Sequence, residues 1–377
     1  MSVYWSEKTA RLEPYVPGEQ PRDRKFIKLN TNENPYPPSP AVIEAIQKAA
    51  SSLRLYPDPC CTELRETAAA AYGVKPEEVF AGNGSDEILA FVFAAFFGAK
   101  AATGVLPAGV MPSGDAPVLF PDISYSFYPV YAGLWDLPYR TVPLRDDFSI
   151  DYSDYLGKSG GIIFPNPNAP TGMALPLEQL KKIAEAAERD KRVLVVDEAY
   201  IAFADAEGIA TALPLIKEFP NILLVRTLSK EASLAGLRAG FAVGQAELIA
   251  GIFRIHDSFN SYTMDRLALA GAAAALKDVP YYRETKRRII ATRGRVSARL
   301  ESLGFRVLPS QANFIFAAPP AGCGKGGLEF YAALREKGIL VRHFNKPRIA
   351  DFMRISMGTD DDMDVFLEAC GKIANGE

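Results

Sequence analysis

The chain has 377 residues, of which 48% are apolar and 23% are charged, the balance of an ordinary globular protein. This length suits two domains better than one compact core. The formal net charge of −3 shows no basic surplus, so the composition favours neither a nucleic acid nor a membrane surface as a partner. The longest apolar run, residues 88–97, is about half the roughly 20 residues that span a bilayer, and we expect a buried helix there.

The beginning of the sequence and its cysteines indicate a compartment. The first residues show no apolar core and no small-residue cleavage site, so we expect no secretory signal peptide. None of the four cysteines has a C-x-x-C spacing, which indicates free thiols and favours the cytoplasm. The two histidines, His256 and His343, lie in no metal-binding spacing, so we expect no zinc site.

Residues 1–40 are rich in proline, asparagine and charge, which predicts an extended arm. From 41 to 258, short apolar runs alternate with amphipathic helical stretches. The clearest strands are 161–165, 193–196 and 222–226, with a helix at 177–189. Wholly apolar strands separated by helices predict a large α/β domain with a mostly parallel sheet covered on both faces.

Residues 259–377 have a different pattern, which predicts a smaller α+β domain. Long helical tracts at 266–276 and 282–303 come first. They are followed by predicted strands at 306–308, 313–317, 339–342 and 352–356, with a helix at 328–337. The predicted organisation is therefore an arm (1–40), a large domain (41–258) and a small domain (259–377).

Polar side chains follow the predicted strands at the edge where ligands bind in open parallel sheets. Asp197 and Tyr200 follow strand 193–196, and Lys230 follows strand 222–226. A lysine there suits imine chemistry with an aldehyde, because partial desolvation helps its amine to lose a proton. A buried acid needs a cationic partner, and a protonated pyridine nitrogen is one such partner.

A phosphate site is predicted beside this lysine. Gly84, Ser85 and Asp86 begin the apolar helix, where free N–H groups and the helix dipole favour an anion. Ser229 and Arg238 are placed to complete that cup, and Arg238 adds two-pronged hydrogen bonding. Taken singly, each residue also suits a solvated surface, a helix cap or an ion pair, so the combination carries the argument.

The motifs, taken in order, resemble a known family. A turn at 166–172 similar to Asn-Pro-Thr-Gly, D-E-A-Y at 197–200, T-L-S-K at 227–230 and A-G-L-R at 235–238 resemble those of fold-type I aminotransferases. Segments 12–15, 29–35, 56–58 and 353–359 resemble histidinol-phosphate aminotransferases most closely. The resemblance covers nearly the whole chain. It implies an aspartate-aminotransferase-like fold, pyridoxal 5'-phosphate as cofactor, and histidinol-phosphate:2-oxoglutarate transamination in histidine biosynthesis.

The resemblance also implies a role for each candidate residue. Lys230 is expected to hold the cofactor as a Schiff base and to carry the proton of the 1,3-shift. Asp197 is expected to pair with the pyridine nitrogen and Tyr200 to bond the phenolic oxygen. The other implied cofactor contacts are Gly84, Ser85, Asp86, Tyr125 (stacked on the ring), Asn168, Thr227, Ser229 and Arg238. The implied substrate contacts are Tyr15, Asn34, Arg342 for the substrate phosphate and Arg354 for the donor's acidic group.

Two further features bear on these roles. Tyr56 is expected to reach the cofactor of a partner subunit, which implies a homodimer with shared sites. The family usually has asparagine directly before Pro-Thr-Gly, where this chain has Ala169. Asn168, one residue earlier, is the candidate to supply that amide.

Alternative functions remain open at this stage. A decarboxylase acting on threonine phosphate would use the same fold and the same two arginines, as would an aminotransferase of broad aromatic or aliphatic specificity. A catalytically inactive binding protein has no reason to keep Lys230, Asp197 and Arg238 together. A dinucleotide-binding dehydrogenase is disfavoured, because the 82–87 turn lacks the third glycine of the dinucleotide-binding motif. That function would also leave Lys230 without a role.

Overall fold

The computed structural model describes residues 3–21, 24–97 and 116–376. In these ranges the strands are β1 (Ile27–Lys28), β2 (Val79–Asn83), β3 (Val118–Pro121), β4 (Tyr139–Val142), β5 (Gly161–Pro165), β6 (Leu194–Asp197), β7 (Ile222–Thr227), β8 (Ala239–Gly244), β9 (Arg306–Val307), β10 (Phe314–Ala318), β11 (Ile339–Leu340), β12 (Arg342–His343) and β13 (Met353–Ser356).

The α-helices in the same ranges are α1 (Glu7–Arg11), α2 (Pro40–Ala50), α3 (Thr62–Tyr72), α4 (Gly84–Phe96), α5 (Tyr128–Leu134), α6 (Leu177–Arg189), α7 (Leu228–Glu231), α8 (Ala246–Phe259), α9 (Arg266–Lys277), α10 (Val279–Ser302), α11 (Gly327–Glu336) and α12 (Asp360–Ala374). Short 3₁₀ helices lie at Pro76–Glu78, Tyr152–Tyr155, Ile201–Phe203, Leu213–Lys217 and Ala321–Cys323.

The largest sheet has seven strands in the order β2-β8-β7-β6-β5-β3-β4. Neighbouring strands are parallel except where β8 is one of the pair. This mixed, mostly parallel sheet confirms the predicted α/β fold class. The helix predicted at 177–189 has those bounds as α6, and the strand predicted at 193–196 is β6.

Helices cover both faces of this sheet, because successive side chains of a strand point to opposite sides. In β5, Ile162 and Phe164 belong to one apolar cluster and Ile163 to another. Helices α2, α3, α6 and α9 contribute to the first cluster, and α4, α5 and α8 to the second. Ligands are therefore expected at the ends of the strands rather than on either face.

The apolar run at 88–97 forms most of α4, as predicted. Ile88, Leu89 and Val92 are buried and pack in the same cluster as α8. None of the helices in the described ranges is long and apolar enough to cross a membrane.

A second, smaller α+β region follows, built on an antiparallel sheet in the order β12-β13-β10-β9. Helices α10, α11 and α12 pack in its apolar cluster through residues such as Ile289, Phe330 and Phe366. The arm joins this region, since β1 pairs with β11. The single strand predicted at 339–342 is wrong in one respect. It is divided in two because β11 pairs with the arm and β12 pairs with β13.

The domain limits at 40/41 and 258/259 stay a prediction, and the packing adds detail to them. Ala268 and Ala272 of α9 belong to the core of the seven-stranded sheet. Ile289 and Val296 of α10 belong to the smaller core. The change of packing partner therefore falls near the junction of α9 and α10.

Candidate active site

The polar residues predicted at the strand ends meet in one cavity of about 390 Å³ at the edge of the seven-stranded sheet. β6 ends in Asp197, the turn after β7 carries Lys230, and α4 begins after β2. Because β8 is antiparallel to β7, Arg238 reaches the same edge from the start of β8. The predicted residues that line the cavity are Tyr15, Ser85, Asp86, Tyr125, Asp197, Tyr200, Thr227, Ser229, Lys230, Arg238, Arg342 and Arg354.

Lys230 lies in α7, a single turn that directly follows β7. Asn34 donates to the Lys230 carbonyl at 2.9 Å, and the Lys230 ammonium donates to the carbonyl of Thr31 at 3.2 Å. Burial first, and then the charge of Arg354, lower the pKa of Lys230 to about 8. A useful share of the amine is therefore neutral near physiological pH, as attack on an aldehyde requires.

Asp197 ends β6 and is almost completely buried. Burial raises the pKa of its carboxyl to about 6, against the opposing effect of two hydrogen bonds. The N–H of Ala199 donates to Oδ1 at 3.2 Å and the hydroxyl of Tyr128 donates to Oδ2 at 3.1 Å. A buried carboxylate of this kind is stabilised by a cationic ligand group placed beside it.

The end of the cavity where a phosphate site was predicted is formed at the start of α4. The carboxylate of Asp86 accepts from the Tyr125 hydroxyl at 2.6 Å and from Arg238 at 2.9 Å, which fixes both side chains. Gly84 has a φ of 76°, and a Cβ there would lie 2.5 Å from a guanidinium nitrogen of Arg238. Glycine at this position therefore lets the arginine pass close to the helix N-terminus.

Thr227 and Ser229 lie on the other side of this cup. The Thr227 hydroxyl donates to the Ser229 hydroxyl at 2.9 Å and accepts from the Ser229 N–H at 3.1 Å. Both residues are buried and line the cavity. Their hydroxyls and the N-terminal N–H groups of α4 supply the neutral donors that a phosphate would need.

Tyr200 lines the cavity, whereas Asn168 does not. The Asn168 amide nitrogen donates to the carbonyl of Ile123 at 3.0 Å and to the hydroxyl of Thr171 at 3.1 Å. Ala169 lines the cavity instead. The expectation that Asn168 supplies the missing amide therefore finds no support in this arrangement, because its amide nitrogen is engaged by Ile123 and Thr171.

The two arginines predicted to contact the substrate both line the cavity. Arg342 of β12 and Arg354 of β13 are opposite each other in the strand register. Arg354 donates to the carbonyl of Asn30 at 3.0 Å, and its buried Nε has no hydrogen-bond partner among the described residues. Burial lowers the pKa of Arg354 from its ordinary value. Two adjacent cations with an unsatisfied buried donor indicate an anionic ligand.

Residues of the arm form part of the cavity wall. Tyr15 stacks on Phe127, with ring centroids 4.4 Å apart, and lines the cavity. Tyr15 and Arg342 also border a second cavity of about 560 Å³ between the arm and α5. The two cavities therefore share two of the four residues predicted to contact the substrate.

Four predicted site residues do not line the cavity of their own chain: Asn168, Gly84, Tyr56 and Asn34. Tyr56 is 79% exposed, and its ring contacts Tyr262 at a centroid distance of 4.9 Å. Asn34 holds the backbone of Lys230 instead of facing a substrate. Its predicted contact with the substrate stays untested, while its observed role is to support α7.

Three residues near the reactive groups were not singled out from the sequence. Tyr128 bonds Asp197, the Asn32 amide donates to the Tyr200 hydroxyl at 2.9 Å, and the Thr31 carbonyl accepts from Lys230. Asn32 and Thr31 belong to the 29–35 motif, so the motif itself was a signal. Tyr128 follows Tyr125 by three residues, a spacing that places both on one turn.

Comparisons with known proteins agree with this geometry. A sequence model of the family described as aminotransferase class I and II matches residues 24–370. Histidinol-phosphate aminotransferase 1 of Bordetella parapertussis is 52% identical over 377 residues, covering 99% of each chain. The histidinol-phosphate aminotransferase of Clostridium acetobutylicum is 50% identical over 369 residues, covering 98% of each chain.

Solved structures show the same fold. The histidinol-phosphate aminotransferase of Sinorhizobium meliloti, in complex with pyridoxal-5'-phosphate, superposes with a TM-score of 0.84 at 26% identity, covering 100% of this chain and 99% of that one. A tetra mutant of Thermus thermophilus aspartate aminotransferase superposes with a TM-score of 0.79 at 19% identity, covering 99% of this chain and 100% of that one. The likeness to the Thermus protein bears on the fold alone.

Proposed function

The chain belongs to the class I and II aminotransferases, and from that membership we propose that it transfers an amino group between histidinol phosphate and 2-oxoglutarate, with pyridoxal 5'-phosphate as cofactor. The observation that carries the proposal is the pair Arg342 and Arg354 in the cavity of Lys230. Relatives at 50% and 52% identity bear the name histidinol-phosphate aminotransferase.

The residues present fit this cofactor. Lys230 offers a partly neutral amine for the aldehyde, and Asp197 offers a buried carboxylate for the ring nitrogen. The close approach of Arg238 to Gly84 at the start of α4 leaves a cationic cradle for the phosphate. The three groups lie around one cavity, as the three ends of a single small molecule require.

When bound, the cofactor withdraws electrons from the α-carbon of the substrate. The Asp197 carboxylate would hold a positively charged ring nitrogen of the cofactor. The Lys230 Nζ, with its pKa near neutrality, accepts a proton and returns it within the cavity. Arg354 and Arg342 orient the substrate through its carboxylate or phosphate, and Tyr15 in the arm helps to exclude water.

A substrate panel tests this proposal. Purified holoenzyme is given histidinol phosphate, phenylalanine or threonine phosphate, with 2-oxoglutarate as acceptor, and both glutamate and carbon dioxide are measured. We expect glutamate formation with the highest kcat/KM for histidinol phosphate and no carbon dioxide. Carbon dioxide release from threonine phosphate without amino transfer, or equal kcat/KM for phenylalanine, would overturn the assignment.

We also propose a homodimer in which Tyr56 of the partner subunit completes each site. Tyr56 lies beside other exposed apolar side chains, among them Leu53, Leu55 and Tyr262. A patch of exposed large apolar side chains supports a protein contact there.

Mixed dimers test the shared site. A Lys230→Ala protomer and a Tyr56→Ala protomer are each expected to form inactive or weak homodimers. A hybrid of the two contains one site with both residues intact, so purified hybrid dimers should have about half the activity of the wild type. Absence of any restoration, with hybrid formation verified by mass, would contradict sharing.

We further propose the cytoplasm as the compartment. All four cysteines, Cys60, Cys61, Cys323 and Cys370, are free thiols in the structure. Free thiols are typical of a reducing environment, which supports this proposal.

A further inference from the structure

Tyr128 donates a hydrogen bond to Asp197 but does not line the cavity itself. It is the first residue of α5, its side chain is fully buried, and its hydroxyl lies 3.1 Å from Asp197 Oδ2. The ring packs edge-on against Tyr125 at 5.6 Å and Phe120 at 5.7 Å. The hydroxyl is therefore held in one place by its surroundings.

The surroundings of Asp197 make this contact important. Its Oδ1 accepts from the N–H of Ala199, so each carboxylate oxygen has one fixed donor. Two negatively charged groups, Asp86 on α4 and Glu198, the residue that follows β6, both disfavour its ionised form. Tyr128 is the only side chain in the described ranges that donates a hydrogen bond to this carboxylate.

We propose that Tyr128 is a positioning residue that acts through Asp197, holding its carboxylate in the orientation and the ionised state that a cationic ring nitrogen requires. This inference rests on the proposed use of pyridoxal 5'-phosphate. It assigns one turn of the chain two functions. Tyr125 lines the cavity, and Tyr128, three residues later, donates a hydrogen bond to the Asp197 carboxylate. The Tyr128 N–H donates to the Tyr125 carbonyl at 3.2 Å, which ties the two residues together.

The direction of the effect follows from the charges. A donor to a buried carboxylate stabilises its charged form and opposes the desolvation that favours the neutral acid. Without the hydroxyl, the pKa of Asp197 rises further, so a larger share of the carboxyl is neutral near pH 7. A neutral acid holds a cationic ligand less strongly, and the loss should be greater at lower pH.

The test compares Tyr128→Phe with Tyr155→Phe, a matched control. Tyr155 is equally buried, and its hydroxyl has no hydrogen-bond partner among the described residues. Apoenzyme is titrated with pyridoxal 5'-phosphate from pH 5.5 to 8.5, and the dissociation constant is read from the absorbance of the bound cofactor. For Tyr128→Phe we expect about tenfold weaker binding at pH 7, the loss of one hydrogen bond to a charged group. The acid limb of the pH profile, where cofactor affinity falls as the pH decreases, should move to higher pH.

A second comparison separates positioning from packing. In an Asp197→Asn background, Tyr128→Phe should cause no further loss of cofactor affinity, because its effect passes through the carboxylate. In the single variant Tyr128→Phe, the KM for glutamate should stay unchanged while kcat falls. Wild-type affinity and an unmoved acid limb in Tyr128→Phe would overturn the inference, as would a full additional loss in the Asp197→Asn background. The cofactor titrations do not depend on the substrate, whereas an apoenzyme that fails to bind the cofactor would instead refute the proposed function.

Discussion

Arg342 and Arg354 occupy facing positions on the antiparallel strands β12 and β13, and both side chains line the cavity that contains Lys230. Two guanidinium groups on neighbouring strands repel each other, and an anion bound between them would offset that repulsion. The unsatisfied Nε of Arg354 adds a directional donor. This pair makes the cavity suited to a substrate with a phosphate or a carboxylate.

Replacement of Arg342 by alanine should discriminate between substrates. We expect kcat/KM to fall about 10- to 100-fold for histidinol phosphate, the loss of a charge-assisted hydrogen bond, and much less for phenylalanine. Steady-state kinetics with both substrates measure the ratio. Arg306→Ala, an exposed arginine outside the cavity, is the control. Equal losses on both substrates would remove the phosphate role of Arg342.

The reactivity of Lys230 should depend on pH with a midpoint near 8, the value to which its pKa is lowered. Only the neutral amine attacks an aldehyde, so the rate of covalent cofactor attachment to the apoenzyme should rise through pH 8 and then level off. Stopped-flow absorbance from pH 6 to 10.5 measures this rate. Arg354→Leu removes a neighbouring positive charge and should move the midpoint upward. A wild-type midpoint near the ordinary lysine value of about 10.4 would contradict the effect of burial.

Asn168 and Tyr200 should differ in how substitution affects cofactor binding. Asn168→Ala removes two buried hydrogen bonds, to Ile123 and Thr171, and should cost roughly 1–3 kcal/mol of unfolding free energy, with little change in cofactor affinity. Tyr200→Phe leaves the buried Asn32 amide without its acceptor, so it should weaken cofactor binding and also lower stability. Urea denaturation of the apoenzyme and cofactor titration separate the two properties. Weak cofactor binding by Asn168→Ala, with unchanged stability, would place its amide at the cofactor after all.

The buried ion pair between Glu198, which directly follows Asp197, and Arg226 should contribute to the stability of the fold. Glu198 is fully buried and Arg226 nearly so, with a nitrogen–oxygen distance of 2.8 Å. Arg226→Met leaves a buried carboxylate without its partner, and we expect a loss of about 3–5 kcal/mol in the free energy of unfolding. Lys181→Ala, which breaks a surface pair with Glu218, should cost no more than about 1 kcal/mol. Similar losses for both variants would show that burial of the pair is unimportant.

Much of the fold could be predicted from the sequence, because the central strands are apolar on both faces and the helices between them are amphipathic. α6 and β5 have their predicted bounds for that reason. The division of 339–342 into β11 and β12 could not be predicted, since it depends on pairing with the distant arm. The packing of α9 against the large core is likewise a tertiary property.

The candidate site was predicted where single residues follow strand ends, as with Lys230 and Asp197. It was not predicted where a role depends on which way a side chain points. Asn168 turns into its own loop, and Asn34 turns to the backbone of Lys230. Tyr128 lies in an aromatic stretch and shows no pattern that distinguishes it from a core residue.

The most direct test of the central claim is to locate the covalent bond to the cofactor. Holoenzyme is reduced with borohydride and digested, and the peptides are analysed by mass spectrometry. We expect the cofactor mass on the peptide that contains Lys230, its retention in Lys28→Ala, and its loss in Lys230→Ala. A wild-type enzyme that carries no adduct, or carries it on another lysine, would contradict the account.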